Sequence, residues 1–112
     1  MRGRRRLVVV VALVAGSPVA GAQDAPVAAA EAGRRIYVSS CQRCHGINLA
    51  TNGIGFDLRT FPQGDKERFL RSVTNGLRAM PAMGATLKPE QMDLIWRYIG
   101  SVNGWAATPD PR

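Results

Sequence analysis

Cys41-Gln42-Arg43-Cys44-His45 constrains this 112-residue chain more than any other stretch. Two thiols three residues apart, with an imidazole directly after them, have few chemical uses. The pair alone can cycle between dithiol and disulfide, but that use comes with a strand–helix context, and no strand pattern surrounds the motif. A zinc site needs about four ligands, whereas the chain's two cysteines and one histidine all lie inside this pentapeptide. A disulfide across two intervening residues would close a small, strained loop. Covalent attachment of a c-type haem engages all three side chains. Cys41 and Cys44 would add across the vinyl groups as thioethers, and His45 would fall under the iron as its proximal ligand.

The N-terminal stretch reads as an export signal. Met1 to Arg6 is a basic n-region and Leu7 to Ala15 an apolar h-region, too short to span a bilayer as a helix. Ala20-Gly21-Ala22 is a small-residue cleavage site, so residues 1–22 are expected to leave and Gln23 to become the N-terminus. No cysteine follows the h-region, which argues against a lipid anchor. The mature form is then expected in the periplasm with no membrane span. The signal also carries much of the positive charge. The full chain has 15 Lys and Arg against 8 Asp and Glu. Removing Arg2, Arg4, Arg5 and Arg6 leaves eleven against eight, a balance of +3 that excludes nucleic acid as an expected partner.

About 90 residues make one domain, small for a self-sufficient core; a large, flat, apolar cofactor gives such a chain something to wrap. Residues 23–28 read as a flexible leader, 29–104 as the domain and 105–112 as a C-terminal tail. The spacing predicts a helix from Ala29 to about Arg43, anchored by Ile36 and Tyr37, with Gly33 on the face of Tyr37. A glycine inside a helix costs roughly 1 kcal/mol against alanine; either it is a tolerated weak spot or another helix approaches closely there. Gly46 to Gly64 carries turn residues and no alternation. Such a loop can be ordered by packing Ile54, Phe56 and Leu58 on the cofactor. Asp65 is a candidate N-cap for a helix over Lys66 to Thr74, with Phe69, Leu70 and Val73 apolar and Asn75-Gly76 as a left-handed end. A second loop, Leu77 to Leu87, holds Met80-Pro81 and Met83-Gly84. Pro89 and Glu90 open a last helix whose apolar face is Met92, Ile95, Trp96 and Ile99. The fold class is all-α.

On these residues the chain resembles a class I (mitochondrial-type) cytochrome c over roughly Glu31 to Val102. That family has a glycine eight residues before the first cysteine and an aromatic four before it, matched by Gly33 and Tyr37. Its last helix has an aliphatic residue three before an aromatic, matched by Ile95 and Tyr98. The resemblance implies three main helices and two long loops around one covalent haem c with its iron. It also implies a sixth ligand from a methionine on the loop before the last helix. Met80-Pro81-Ala82 is similar to the family's ligand tripeptide, and the proline restrains the residue before it. Met83 is the alternative, with packing as its other role, and Met92 reads as core. One departure is plain. Gly55-Phe56-Asp57-Leu58 stands where the family often has a proline whose carbonyl orients the ligating histidine. The carbonyl of Ile54, Gly55 or Phe56 is left to do this.

Phe56-Asp57-Leu58-Arg59, Arg68-Phe69 and Met80-Pro81-Ala82 further resemble small periplasmic cytochromes that accept electrons from pyrroloquinoline quinone-dependent alcohol dehydrogenases. The resemblance implies an electron-transfer protein and not an enzyme. Its donor would be such a dehydrogenase, and its acceptor an oxidase or another cytochrome. Arg43 and Arg78 are placed to steer an acidic partner or to serve as solvated surface charge, and Arg59 to pair with a haem propionate. The rival readings are a haem enzyme or gas or redox sensor with a displaceable sixth ligand, and a haem-free dithiol protein.

Overall fold

The computed structural model describes residues 3, 6–16 and 24–105. Residues 6–16 form no helix and stand out from the rest, with Leu7 88% and Leu13 93% exposed. The expected cleavage site at residues 20–22 and the tail from residue 106 onward lie outside the described residues. No helix among the described residues is long and apolar enough to cross a membrane.

Four helices carry the domain: α1 (Asp24–Ser40), α2 (Gln42–His45), α3 (Lys66–Asn75) and α4 (Pro89–Asn103). Short 3-10 turns at Ile47–Leu49 and Leu58–Thr60 punctuate the loop between α2 and α3. Among the described residues there is no strand beyond an isolated bridge between Leu77 and Met80. The all-α expectation stands. Its boundaries move, however. α1 begins at Asp24, so residues 24–28, expected as a leader, are helical. Pro26 is no obstacle there, because N–H groups of a first helical turn have no partner to lose. The helix also stops at Ser40 rather than near Arg43. Cys41 forms a turn, and a separate four-residue helix then carries the rest of the pentapeptide.

α1 and α4 cross at Gly33, and the crossing needs that glycine. A Cβ there would lie 1.8 Å from the Leu94 carbonyl oxygen and 2.5 Å from its carbon. The weak spot in α1 is therefore a contact point. One turn on, Tyr37 packs on Tyr98 with ring centroids 5.1 Å apart. Tyr37, Leu49, Ile95 and Ile99 are the most deeply buried side chains, with Phe69, Val73, Met92 and Tyr98 around them.

The caps of α3 and α4 follow their residues. Asp65 accepts the Arg68 N–H at 3.3 Å. The Gln91 side chain accepts the Lys88 N–H at 2.9 Å ahead of Pro89. Gly76 ends α3 at φ 75° but ψ 167°, so the expected left-handed cap is a positive-φ turn of another kind. The left-handed cap occurs instead at Gly104 (φ 68°, ψ 27°) after α4. Asp93 on α4 ties the two helices, meeting Lys66 Nζ at 2.5 Å and Arg97 Nε at 3.2 Å. Burial pushes its carboxyl up, but hydrogen bonds from Lys66 and Arg97 outweigh that and hold it below the usual carboxylate range.

Trp105, expected in the tail, belongs to the domain. Its N–H donates to the Gly100 carbonyl at 2.9 Å, and its ring packs 4.7 Å from that of Trp96. Trp96 continues to Phe61 at 5.7 Å and Phe69 at 5.2 Å. This aromatic cluster connects α4 to α3 and to the long loop.

Candidate functional site

The pentapeptide starts where α1 ends. The Cys41 N–H closes the last turn on the Tyr37 carbonyl at 2.8 Å, and the His45 N–H returns to the Cys41 carbonyl at 3.0 Å. This compact turn brings the Cys41 side chain and the His45 ring to one cleft. Cys44 is half-buried beside them and does not line it. Both thiols are free. Burial, with Cys44 adding to it, pushes the Cys41 thiol up to about 11. Among the described residues no group of three or more His, Cys, Asp and Glu is arranged to hold an ion.

The cleft is open at its mouth, and the space within it is about 230 Å³. Its lining is largely apolar: Tyr37, Ile95 and Ile99 from the helix crossing, Phe69 and Val73 from α3, and Phe56, Leu58 and Phe61 from the long loop. Arg68 and Arg78 supply positive charge. Met80 lines the same cleft as His45. It closes a tight turn with Leu77, their N–H groups and carbonyls paired at 3.0 and 3.1 Å. Met83 is half-buried against the core and does not line the cleft, and its N–H is taken by the Val73 carbonyl at 2.8 Å. Met92 is buried, its sulfur 3.6 Å from the Thr74 hydroxyl.

His45 Nδ1 lies 2.8 Å from the Phe56 carbonyl oxygen. A carbonyl can only accept, so Nδ1 carries the proton and Nε2 keeps its lone pair free for a metal. Of the three candidate carbonyls, Phe56 is the partner. Gly55 makes the approach possible. A Cβ there would lie 2.8 Å from the Cys44 carbonyl oxygen and 3.0 Å from His45 Nδ1. Tyr37 pins the exit of the motif by donating to the Gly46 carbonyl at 2.5 Å. Burial first, then Cys41 and Tyr98, push its phenol up to about 12, so the proton it donates stays in place. Among the described residues, those other than glycine with positive φ (Asn48, Leu49 and Arg78) occur only in the two loops, one beside the pentapeptide and one beside Met80. Backbone strain of this kind concentrates where a site over-determines the chain.

Two expectations fail. Ile54 is 72% exposed and does not line the cleft, so it does not order the loop by apolar packing. Polar bonds do so instead, through Thr51 and Asn52. Arg59 does not face the cleft. Its guanidinium is forked onto Asp57 at 2.6 and 3.0 Å, and that hydrogen bonding holds the Asp57 carboxyl below the usual range. Arg68, 4.5 Å over the Phe61 ring, and Arg78 are the arginines at the cleft. Arg43 is exposed and does not line it.

Two free thiols, an imidazole with one nitrogen held and the other free, a thioether and an apolar cleft are the donor set and housing that haem c requires. Comparison with known proteins agrees. The profile of the family described as "Cytochrome C oxidase, cbb3-type, subunit III" matches residues 28–99. The chain belongs to this cytochrome c family. Its cofactor is covalently bound haem c with iron, and its relatives named cytochrome c6 and cytochrome c550 are electron-transfer proteins. Cytochrome c6 of Gloeothece citriformis is 31% identical over 80 residues, 65% of this chain and 73% of that protein. Cytochrome c550 of Pseudomonas aeruginosa is 37% identical over 82 residues, 67% of this chain and 57% of that protein. Quinohemoprotein alcohol dehydrogenase ADH-IIG of Pseudomonas putida is 34% identical over 74 residues. That match covers 64% of this chain but only 10% of the dehydrogenase. No solved structure gives a significant match.

Proposed function

We propose that this chain is a periplasmic one-electron carrier with haem c attached at Cys41 and Cys44 and the iron held between His45 and Met80. The observation that carries this reading is the His45 ring. Its Nδ1 is fixed by the Phe56 carbonyl at 2.8 Å, which leaves Nε2 for a cleft that Met80 also lines. When bound, the haem supplies the ferrous/ferric couple. The rest is the work of side chains. Cys41 and Cys44 would tether the group. The carbonyl bond strengthens His45 as a donor. Met80 sulfur favours the ferrous state. Phe61, Phe69, Ile95 and Ile99 keep water from the cleft and lower its dielectric. His45 and Met80 would both hold the iron, which would leave it to carry electrons rather than to bind a substrate.

The proposed donor is a quinoprotein alcohol dehydrogenase, with an oxidase or another cytochrome as acceptor. The likeness to ADH-IIG and ADH IIB of Pseudomonas putida supports the donor assignment, because the stretch matched is a small part of each enzyme. This domain would then serve the same kind of chemistry by carrying electrons one at a time. The basic start and the apolar Leu7–Ala15 support export.

Protein purified from the periplasm should be red and exceed the mass of the chain from Gln23 by one haem. The colour should survive acid–acetone extraction, because thioethers do not exchange. Colour lost entirely to the acetone phase would rule out attachment at Cys41 and Cys44. A colourless protein would restore the dithiol reading.

A further inference from the structure

The loop over residues 51–56 meets the pentapeptide at three consecutive residues. Asn52 Nδ2 donates to the Arg43 carbonyl at 2.8 Å. The Gly55 N–H donates to the Cys44 carbonyl at 2.7 Å. His45 Nδ1–H donates to the Phe56 carbonyl at 2.8 Å. Only the first of these contacts comes from a loop side chain. Between it and Phe56 lie Gly53 and Gly55, which leave the backbone its widest freedom, and no proline occurs from Val27 to Phe61. Nothing in the covalent chain therefore fixes the Phe56 carbonyl on the imidazole.

Asn52 is built to supply that restraint. While its amide nitrogen holds Arg43, its Oδ1 accepts the Ile54 N–H at 3.1 Å and shapes the turn. Thr51 completes the loop, accepting the Gly53 N–H at 3.1 Å and donating to the Gly55 carbonyl at 2.6 Å. Asn52 itself is exposed and lends nothing to the core, so its reach to Arg43 is a staple rather than packing.

We propose that Asn52 is a positioning residue for His45: by stapling the loop to Arg43 it keeps the Phe56 carbonyl on Nδ1 and so sets how strongly Nε2 donates to the iron. The proposal rests on the reading of His45 as an axial ligand. An imidazole whose far N–H is held by an acceptor is the stronger donor, and stronger donation favours the ferric state.

The test uses the full, haem-loaded protein and two neutral variants. Asn52→Ala removes both contacts. Asn52→Ser keeps an oxygen that can accept the Ile54 N–H, as serine turns do more weakly, but it is too short to reach Arg43. Both variants should raise the ferrous-to-ferric ratio at fixed ambient potential about tenfold, which for one electron is about 59 mV. Both should also speed exchange of the Gly55 amide proton about tenfold, by freeing the loop from one hydrogen bond. If Asn52→Ser matches the parent in potential and exchange while Asn52→Ala does not, Asn52 only shapes a turn and the staple is refuted. If neither variant differs from the parent, the proposal fails outright. Failure of the haem reading itself is distinct, because the parent protein would then have no ferrous/ferric couple to titrate.

Discussion

Gly33→Ala should destabilise the domain by at least about 3 kcal/mol, at the upper end of what overpacking costs. Helix propensity alone points the other way, since alanine in place of glycine gains roughly 1 kcal/mol in a helix interior. The contact decides the sign. The added methyl carbon would lie 1.8 Å from the Leu94 carbonyl oxygen, and a backbone atom cannot rotate aside as a side chain can. α1 and α4 would have to separate. That would loosen Tyr37 on Tyr98 and open the packing around Ile95 and Ile99, which also form part of the cleft. A domain of this size loses about 4–8 °C of melting temperature per kcal/mol. Thermal unfolding of the haem-loaded protein should therefore shift down by roughly 12 °C or more on that scale. A melting temperature equal to or above that of the parent would mean that the crossing does not depend on this glycine.

Met80→Ala should abolish the near-infrared sulfur-to-iron band of the ferric protein, lower the potential and open the iron to added cyanide, because the sulfur that favours the ferrous state is gone. Placement is the reason to single out this methionine. The paired bonds between Leu77 and Met80 set the Met80 side chain in the cleft that also takes His45. Pro81 restrains the backbone of the residue before it. Met83→Ala should keep the band and cost about 1 kcal/mol, below the range for fully buried methionines because Met83 is only half-buried. Spectra and redox titration of the two variants decide the matter. If Met83→Ala loses the band and Met80→Ala keeps it, the ligand lies three residues further along and the Leu77–Met80 turn has another purpose. Met92 is a poor substitute in either case, since its sulfur is engaged by Thr74.

Much of this arrangement is legible in the residues, for identifiable reasons. Asp65 and Pro89 mark helix starts because capping is a local event, settled by a few neighbouring groups. Gly33 and Tyr37 are readable because helical spacing places them on one face, and a glycine there invites contact. The orienting carbonyl narrows to three residues and no further, since a carbonyl belongs to every residue and its direction depends on how a loop closes. Asn52 reads as one turn residue among several for the same reason; its bond to the Arg43 carbonyl, nine residues back, forms only once the loop has closed. Arg59 invites pairing with a propionate, but Asp57, two residues away, is a nearer partner for its charge. Trp105 falls after a helix-ending glycine and so reads as tail. Its packing on Trp96 depends on a left-handed residue at Gly104 that turns the chain back.

That last contact has an optical consequence. Trp96 and Trp105 are the chain's two tryptophans, and they touch each other. Trp96 also meets Phe61 and Phe69, which line the cleft. Both indoles would thus lie near a porphyrin held in the cleft, which absorbs where indole emits. Fluorescence should be almost dark in loaded, folded protein and should brighten when the chain opens or has never received its cofactor. The domain would carry its own dye-free gauge of maturation, readable in a crude extract once the protein is the dominant species.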